Sequence, residues 1–141
     1  MLLEKKHREK IIAEYLRETD EVLFAYIFGS FVGKENYHDI DVAVYLKDTF
    51  DKNDLMKFPY GYESGLISAL NLLVRENIDF IVINNAQLTL QKKIIEHGIL
   101  LFSKDERKRI HFENYIRKLF IDATHLRKIR RYYLSGKIIN A

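Results

Sequence analysis

Residues 22–30 read VLFAYIFGS and residues 39–46 read DIDVAVYL, and these two stretches decide the fold. The first is short, apolar and rich in aromatic and β-branched side chains, and Gly29-Ser30 ends it abruptly. That composition predicts a buried strand over Val22–Phe28. In the second, Ile40, Val42 and Val44 point one way and Asp41, Ala43 and Tyr45 the other, over a strand predicted from Ile40 to Leu46. Asp39 and Asp41 are two residues apart, so the same period of two puts both carboxylates on one face. The intervening segment, FVGKENYH, is too short for more than a turn or a very short helix, with Gly33 its flexible point.

Outward from this pair, the chain alternates between the two periods. Residues 4–18 predict a helix with an apolar stripe of Ile11, Ile12, Tyr15 and Leu16, which Leu3 would extend. Residues 47–61 are turn-rich, with Pro59 and Gly61. Glu63–Glu76 read as a helix turning Leu66, Ile67, Leu70 and Leu73 or Val74 inward, with Asn77 at its end. Asp79–Ile83 is another compact apolar strand, followed by an Asn84-Asn85 turn signal. Leu88–His97 reads as a helix stopped by Gly98, and Ile99–Phe102 as a short edge strand. Ser103 or Asp105 then caps one long helix from Asp105 to about Tyr133, with Gly136 marking its end. Along it Phe112, Ile116, Leu119, Ala123, Leu126 and Ile129 recur at three- and four-residue steps. Interleaved strands and helices predict an α/β (α+β) fold, a small mixed sheet packed with helices. The last helix is longer than a small sheet can cover, which leaves its excess for a partner.

The 141 residues have the size of one domain, here residues 1–141, and the 48% hydrophobic fraction supports a core without staples. No cysteine is present, which excludes disulfides, thiolate catalysis and cysteine-held zinc or iron–sulfur centres. The start, MLLEKKHREK, is too charged for a signal-peptide core, and no apolar run approaches the ~20 residues of a membrane span. The expectation is a cytoplasmic protein with no membrane partner. Charge is uneven: residues 1–104 carry 13 Lys and Arg against 16 Asp and Glu, residues 105–141 carry 10 against 4. A basic end segment attracts nucleic acid or an acidic protein face, and also serves as an ordinary solvated helix surface.

Two like charges held at the start of an apolar strand are costly unless they are paired or bind metal. Two oxygen donors on one side suit Mg2+, which takes one or two carboxylates plus substrate phosphates. An Asp-x-Asp pair alone is also what an exposed strand start carries. The preceding Gly29-Ser30 sharpens the reading, because glycine lets backbone approach a ligand and the following amides can face phosphate oxygens. If strands 22–28 and 40–46 pair antiparallel, Ser30 and Asp39 meet at one rim of the sheet. If the third strand lies beside 40–46, Asp79 reaches the same rim, as a further metal ligand or as a base for an attacking hydroxyl.

At these residues the chain resembles the nucleotidyltransferase superfamily typified by DNA polymerase beta: Gly29-Ser30, eight residues, Asp39-x-Asp41, and Asp79 opening a later strand. Within it the chain is similar to the minimal nucleotidyltransferases, in particular the antitoxin partner of HEPN-domain toxins. The stretch Asp79-Phe-Ile-Val-Ile-Asn84, Ala86, Leu90, Ile94, Ile95, Gly98, Leu101-Phe102 and Asp105 carries that second likeness. The resemblance implies a polymerase-beta-like fold in which Gly29 and Ser30 hold the triphosphate of ATP. It implies that Asp39 and Asp41 bind Mg2+, and that Asp79 completes a two-metal site and helps activate the acceptor. It further implies transfer of AMP to a tyrosine of a HEPN ribonuclease toxin within a hetero-oligomer. The chain departs from the family pattern at His38, where Ser or Thr is common, and at Phe31-Val32, where small or basic residues are common. Lys34 is the candidate to replace a basic phosphate contact, or else a solvated loop lysine, and His38 a candidate for a phosphate or acceptor contact, or else for a local hydrogen bond.

Other residues carry weaker signals. His111 and Tyr115 share one helical face, as a polar pair toward a partner or simply as surface. His7, His97 and His125 have no ligand-like spacing. The run Arg127-Lys128-Ile129-Arg130-Arg131-Tyr132-Tyr133 suits RNA, the toxin or solvent equally. Three functions follow: AMPylation of a toxin, a non-catalytic antitoxin that blocks by complex formation, and nucleotidyl transfer to a small molecule or an RNA end.

Overall fold

The computed structural model describes residues 2–135. Its elements run α1 (Leu2–Arg17), β1 (Val22–Phe28), α2 (Ser30–Gly33), β2 (Ile40–Leu46), α3 (Tyr62–Val74), β3 (Ile78–Val82), a 3-10 turn (Ile83–Asn85), α4 (Leu88–His97), β4 (Ile99–Ser103) and α5 (Glu106–Leu134). The four strands form one mixed sheet in the order β3-β2-β1-β4. β1 lies antiparallel to both β2 and β4, and β2 lies parallel to β3. The mixed sheet packed with helices and the long last helix are as the sequence predicts.

Strand alternation sorts the core into two faces. Val22, Ala25 and Ile27 of β1 join Ile40, Val42, Val44 and Leu46 of β2 in packing on Ile12 and Leu16 of α1 and on Leu66, Leu70 and Val74 of α3. Phe24 and Tyr26, with Ala43, pack on Ile94 and Ile95 of α4 and Phe112 and Ile116 of α5. Val22 and Phe24 would fall on one face in a regular strand. A register shift between them inserts Leu23 as an extra residue, which restores the match to β2. On the second face Phe24 stacks on Tyr45 at 4.5 Å with a 10° interplanar angle, and Phe112 meets both rings.

Several ends differ from the sequence expectation by a residue or two, and the reasons are local. α3 closes at Val74 rather than Glu76 because Arg75 adopts a left-handed conformation (φ 57°) and its amide donates to Asn71 O. The Asn71 side chain then accepts from the Ile78 amide and turns the chain into β3. Ile83 belongs to the 3-10 turn rather than to β3. The Asn84 side chain there pairs with both the amide and the carbonyl of Leu46, extending the sheet edge by a side chain. Gly98 stops α4 for a reason other than positive φ, since its φ is −75°. A Cβ there would sit 2.5 Å from Ile94 O and 3.1 Å from Ile27 O, so the corner between α4 and β4 has no room for a side chain. Of the two capping candidates, Asp105 caps α5 by accepting from the Lys108 amide at 3.0 Å. Gly136, expected to mark the end of α5, lies outside the described residues.

α5 is fastened to the sheet by a buried polar knot. The Tyr26 hydroxyl donates to Glu113 Oε2 at 2.6 Å, and Arg109 and Arg117 donate to the same carboxylate. Burial, then the bond to Glu113, pushes the Tyr26 phenol far above its ordinary value. Beyond Phe120, whose ring lies under Lys92 of α4, the helix leaves the core: Ile121, Leu126, Ile129, Tyr132 and Tyr133 are exposed. The predicted stripe therefore continues past the sheet that could bury it. Among the described residues no helix is long and apolar enough to cross a membrane.

Candidate functional site

Both conditional pairings hold. Phe28, the last residue of β1, stands opposite Asp41, and Asp41 stands opposite Asp79 in the parallel β2–β3 pair. The Ile40 amide also donates to Asn77 O at 3.0 Å, fixing the start of β2 against the approach to β3. One rim of the sheet thus holds Gly29, Asp41 and Asp79, with Asp39 two residues ahead of Asp41. By parity these carboxylates lie on the α4/α5 face.

Gly29 carries a φ of 77°, and a Cβ built on it would fall 2.0 Å from Asp41 Oδ2. The Asp41 carboxylate therefore lies directly over the glycine, which explains on two counts why no side chain is possible there. Asp41 is half-buried, while Asp39 and Asp79 are exposed. Burial, then the charges of Asp79 and Asp39, push the Asp41 carboxyl above its usual range, and Lys93 pulls it back.

Ser30 opens the single turn of α2, closed by Lys34 N–H on Ser30 O at 3.0 Å. Lys5 of α1 fastens this turn by donating to Phe31 O at 2.8 Å and to Lys34 O. The Phe31 side chain, 1% exposed, is in the α1/α3 core and meets Tyr37 edge-on at 4.7 Å. The aromatic at this motif position thus serves packing and leaves the rim clear. Gly29, Ser30 and Lys34 share a cavity of about 440 Å3 with Phe28, Val32, Gly33, Lys93 and His97. His38 is not gathered there; it lines a separate cavity of about 630 Å3 beside Arg8, Tyr37, Arg75 and Glu76. Arg8, Tyr37 and Glu76 are tied together in that second cavity, with Arg8 to Glu76 at 3.0 Å and Tyr37 Oη to Glu76 at 2.9 Å.

Lys93 and His97 are the residues that sequence reasoning missed. Their four-residue spacing on a helix was legible, but nothing in the sequence said that this face of α4 turns toward Gly29. His111 and Tyr115 line a groove of about 690 Å3 beside Tyr45, at the opposite end of β2 from the carboxylates. The basic run from Arg127 to Tyr133 lies on the exposed distal part of α5.

Among the described residues, no group of three or more His, Asp and Glu side chains is drawn together closely enough to be a metal cage. Magnesium does not require one, since it takes one or two carboxylates and completes its shell with water and substrate phosphates. The hard oxygen donors of Asp41 and of Asp79 beside it in register fit that demand.

The family described as "Polymerase beta, Nucleotidyltransferase" matches residues 9–107. No curated protein matches the chain. Among solved structures, a toxin–antitoxin MntA-HepT complex contains a chain with a TM-score of 0.63 and 19% identity, covering 94% of this chain and 98% of its own. A tri-AMPylated Shewanella oneidensis HEPN toxin in complex with MNT antitoxin gives a TM-score of 0.64 at 21% identity, covering 95% and 98%. A toxin–antitoxin with AMP-PNP gives 0.65 at 21%, covering 92% and 98%. These likenesses establish a shared fold. With the family match spanning most of its length and the Gly-Ser and Asp-x-Asp rim in place, the chain belongs to the polymerase beta nucleotidyltransferase family.

Proposed function

We propose that the chain, acting as one domain, transfers AMP from ATP to a tyrosine of a HEPN ribonuclease toxin and so neutralises it. The observation that carries the reading is the position of Asp41, over Gly29 and register-paired with Asp79. It puts two carboxylates, neighbours in register, beside the glycine–serine corner. In this reading Gly29 and Ser30 receive the phosphate chain, and Asp39, Asp41 and Asp79 hold Mg2+. Bound there, the ion would neutralise charge on the phosphates and polarise the α-phosphorus. The acceptor oxygen bonds to the α-phosphorus while the bond to the β-bridging oxygen breaks. Pyrophosphate leaves, and the acceptor proton passes to the Asp79 carboxylate, which is exposed at the rim. The acceptor class is supported by the solved relatives, one of which holds a tri-AMPylated HEPN toxin.

The test is transfer of label from α-labelled ATP to the cognate HEPN protein, with Mg2+ required. Asp39→Asn with Asp41→Asn should abolish transfer while the fold is retained. Persistent transfer would overturn the assignment of these residues. A second reading, neutralisation by complex formation alone, is favoured by the exposed apolar stripe on distal α5. It wins if the double variant still protects cells from the toxin as well as the parent does. Transfer to a small molecule or an RNA end would appear instead as label on those acceptors and none on protein.

A further inference from the structure

We infer that Lys93, with His97 one turn further along α4, forms the wall of the site that grips the phosphate chain of the nucleotide. This rests on the nucleotidyl-transfer reading and adds to it residues that lie outside the sequence motif. The cavity beside Gly29 is walled on one side by the β1–α2 corner and on the other by α4, from which Lys93 and His97 face inward together. Lys92, one residue earlier, has its charge matched by Glu96 and lies over the Phe120 ring. Among the described residues, Lys93 has no such ion pair, and it shares the cavity with Gly29, over which Asp41 lies.

The cavity lining is basic, and the acidic rim adjoins it at Gly29, over which Asp41 lies. Asp39, Asp41 and Asp79 are acidic on the sheet rim, while Lys34 and Lys93 are basic on the flanking elements. A ligand suited to both is an elongated polyanion that can share a cation with the carboxylates and place its remaining oxygens against ammonium groups. The phosphate chain of ATP has that form. The motif corner itself offers Phe31 and Val32, whose side chains bring no charge, so α4 supplies from across the cavity what residues 31–32 do not.

Calorimetric binding of ATP, AMP and inorganic pyrophosphate, each with Mg2+ and with EDTA, tests this on the whole chain and on Lys93→Ala and Lys93→Arg. Lys93 is exposed, so both variants should melt with the parent. The expected result is that Lys93→Ala weakens ATP and pyrophosphate by about tenfold. AMP should be little changed, and Lys93→Arg should stay close to the parent. Unchanged ATP affinity in Lys93→Ala, or equal loss for ATP and AMP, would overturn the inference. A parent that binds pyrophosphate through Lys93 but no ATP would uphold the wall and sink the nucleotide reading. A parent that binds none of the three would sink both.

Discussion

Asp41 lies over Gly29 so closely that the carboxylate occupies the space a Cβ would need, 2.0 Å from Oδ2. Gly29→Ala must therefore displace the carboxylate or distort a backbone already at positive φ. Because displacements of about 1 Å at a reacting centre cost on the order of 100-fold, transfer activity should fall by at least that much. The melting temperature should drop by only a few degrees. A Gly29→Ala chain with full activity would show that Asp41 does not work from this position.

Asp41 is raised by burial and by Asp79 and Asp39, so its ionised form destabilises the free protein. The folded value lies above the unfolded one, so the folded state binds the proton more tightly. The penalty is full above the folded value and vanishes once pH falls below the unfolded one. Asp41→Asn should thus stabilise the free chain at neutral pH, by at most about 1 kcal/mol after solvent screening. The gain should fade as pH falls through the raised value toward 3.8. Denaturant melts of the two proteins at pH 7 and at pH 3 measure the difference.

Glu113 is shared by Tyr26, Arg109 and Arg117 inside the α5–sheet contact. Glu113→Ala leaves the buried Tyr26 phenol without its acceptor and takes a carboxylate from Arg109 and Arg117, which keep Glu106 and Asn114, a loss of about 2–4 kcal/mol. Tyr26→Phe removes one donor while the arginines keep the carboxylate paired, and should cost about 1 kcal/mol. Urea unfolding of both variants checks the order, and a Tyr26→Phe loss equal to that of Glu113→Ala would contradict it.

Gly98→Ala tests whether space or φ put glycine at the end of α4. Its φ of −75° suits any residue, whereas its contacts with Ile94 O and Ile27 O admit no methyl group. The variant should lose about 1–3 kcal/mol through overpacking. Equal stability in a thermal melt would mean that the corner relaxes freely.

The sheet was legible because its two central strands announce themselves by different means. β1 does so by unbroken apolar character and β2 by alternation, and the alternation already put Asp39 and Asp41 on one face. Whether Asp79 joined them depended on strand neighbours, which no local pattern encodes; the parallel pairing of Asp41 with Asp79 is a tertiary fact. Lys93 and His97 were hidden for the same reason. Their spacing named a helix face but not what that face would meet. Phe31 looked like a departure within the site and proved to be core, because a single turn of helix sends residue 31 inward while 29 and 30 stay on the rim.

The overhang of α5 divides one continuous helix into two mechanical regimes. The segment through Phe120 is clamped by the sheet and by Glu113, whereas Ile121–Leu134, about 20 Å long, is mostly exposed beyond Thr124 and held chiefly by its own backbone hydrogen bonds. Helices of that length are marginal in water when nothing packs on them, so the amides of this stretch should open one turn at a time from the far end. Deuterium uptake along α5 should form a steep gradient in the isolated chain, slow before Phe120 and fast beyond it. Any molecule that seats on the stripe would flatten that gradient, which makes the helix its own gauge of occupancy.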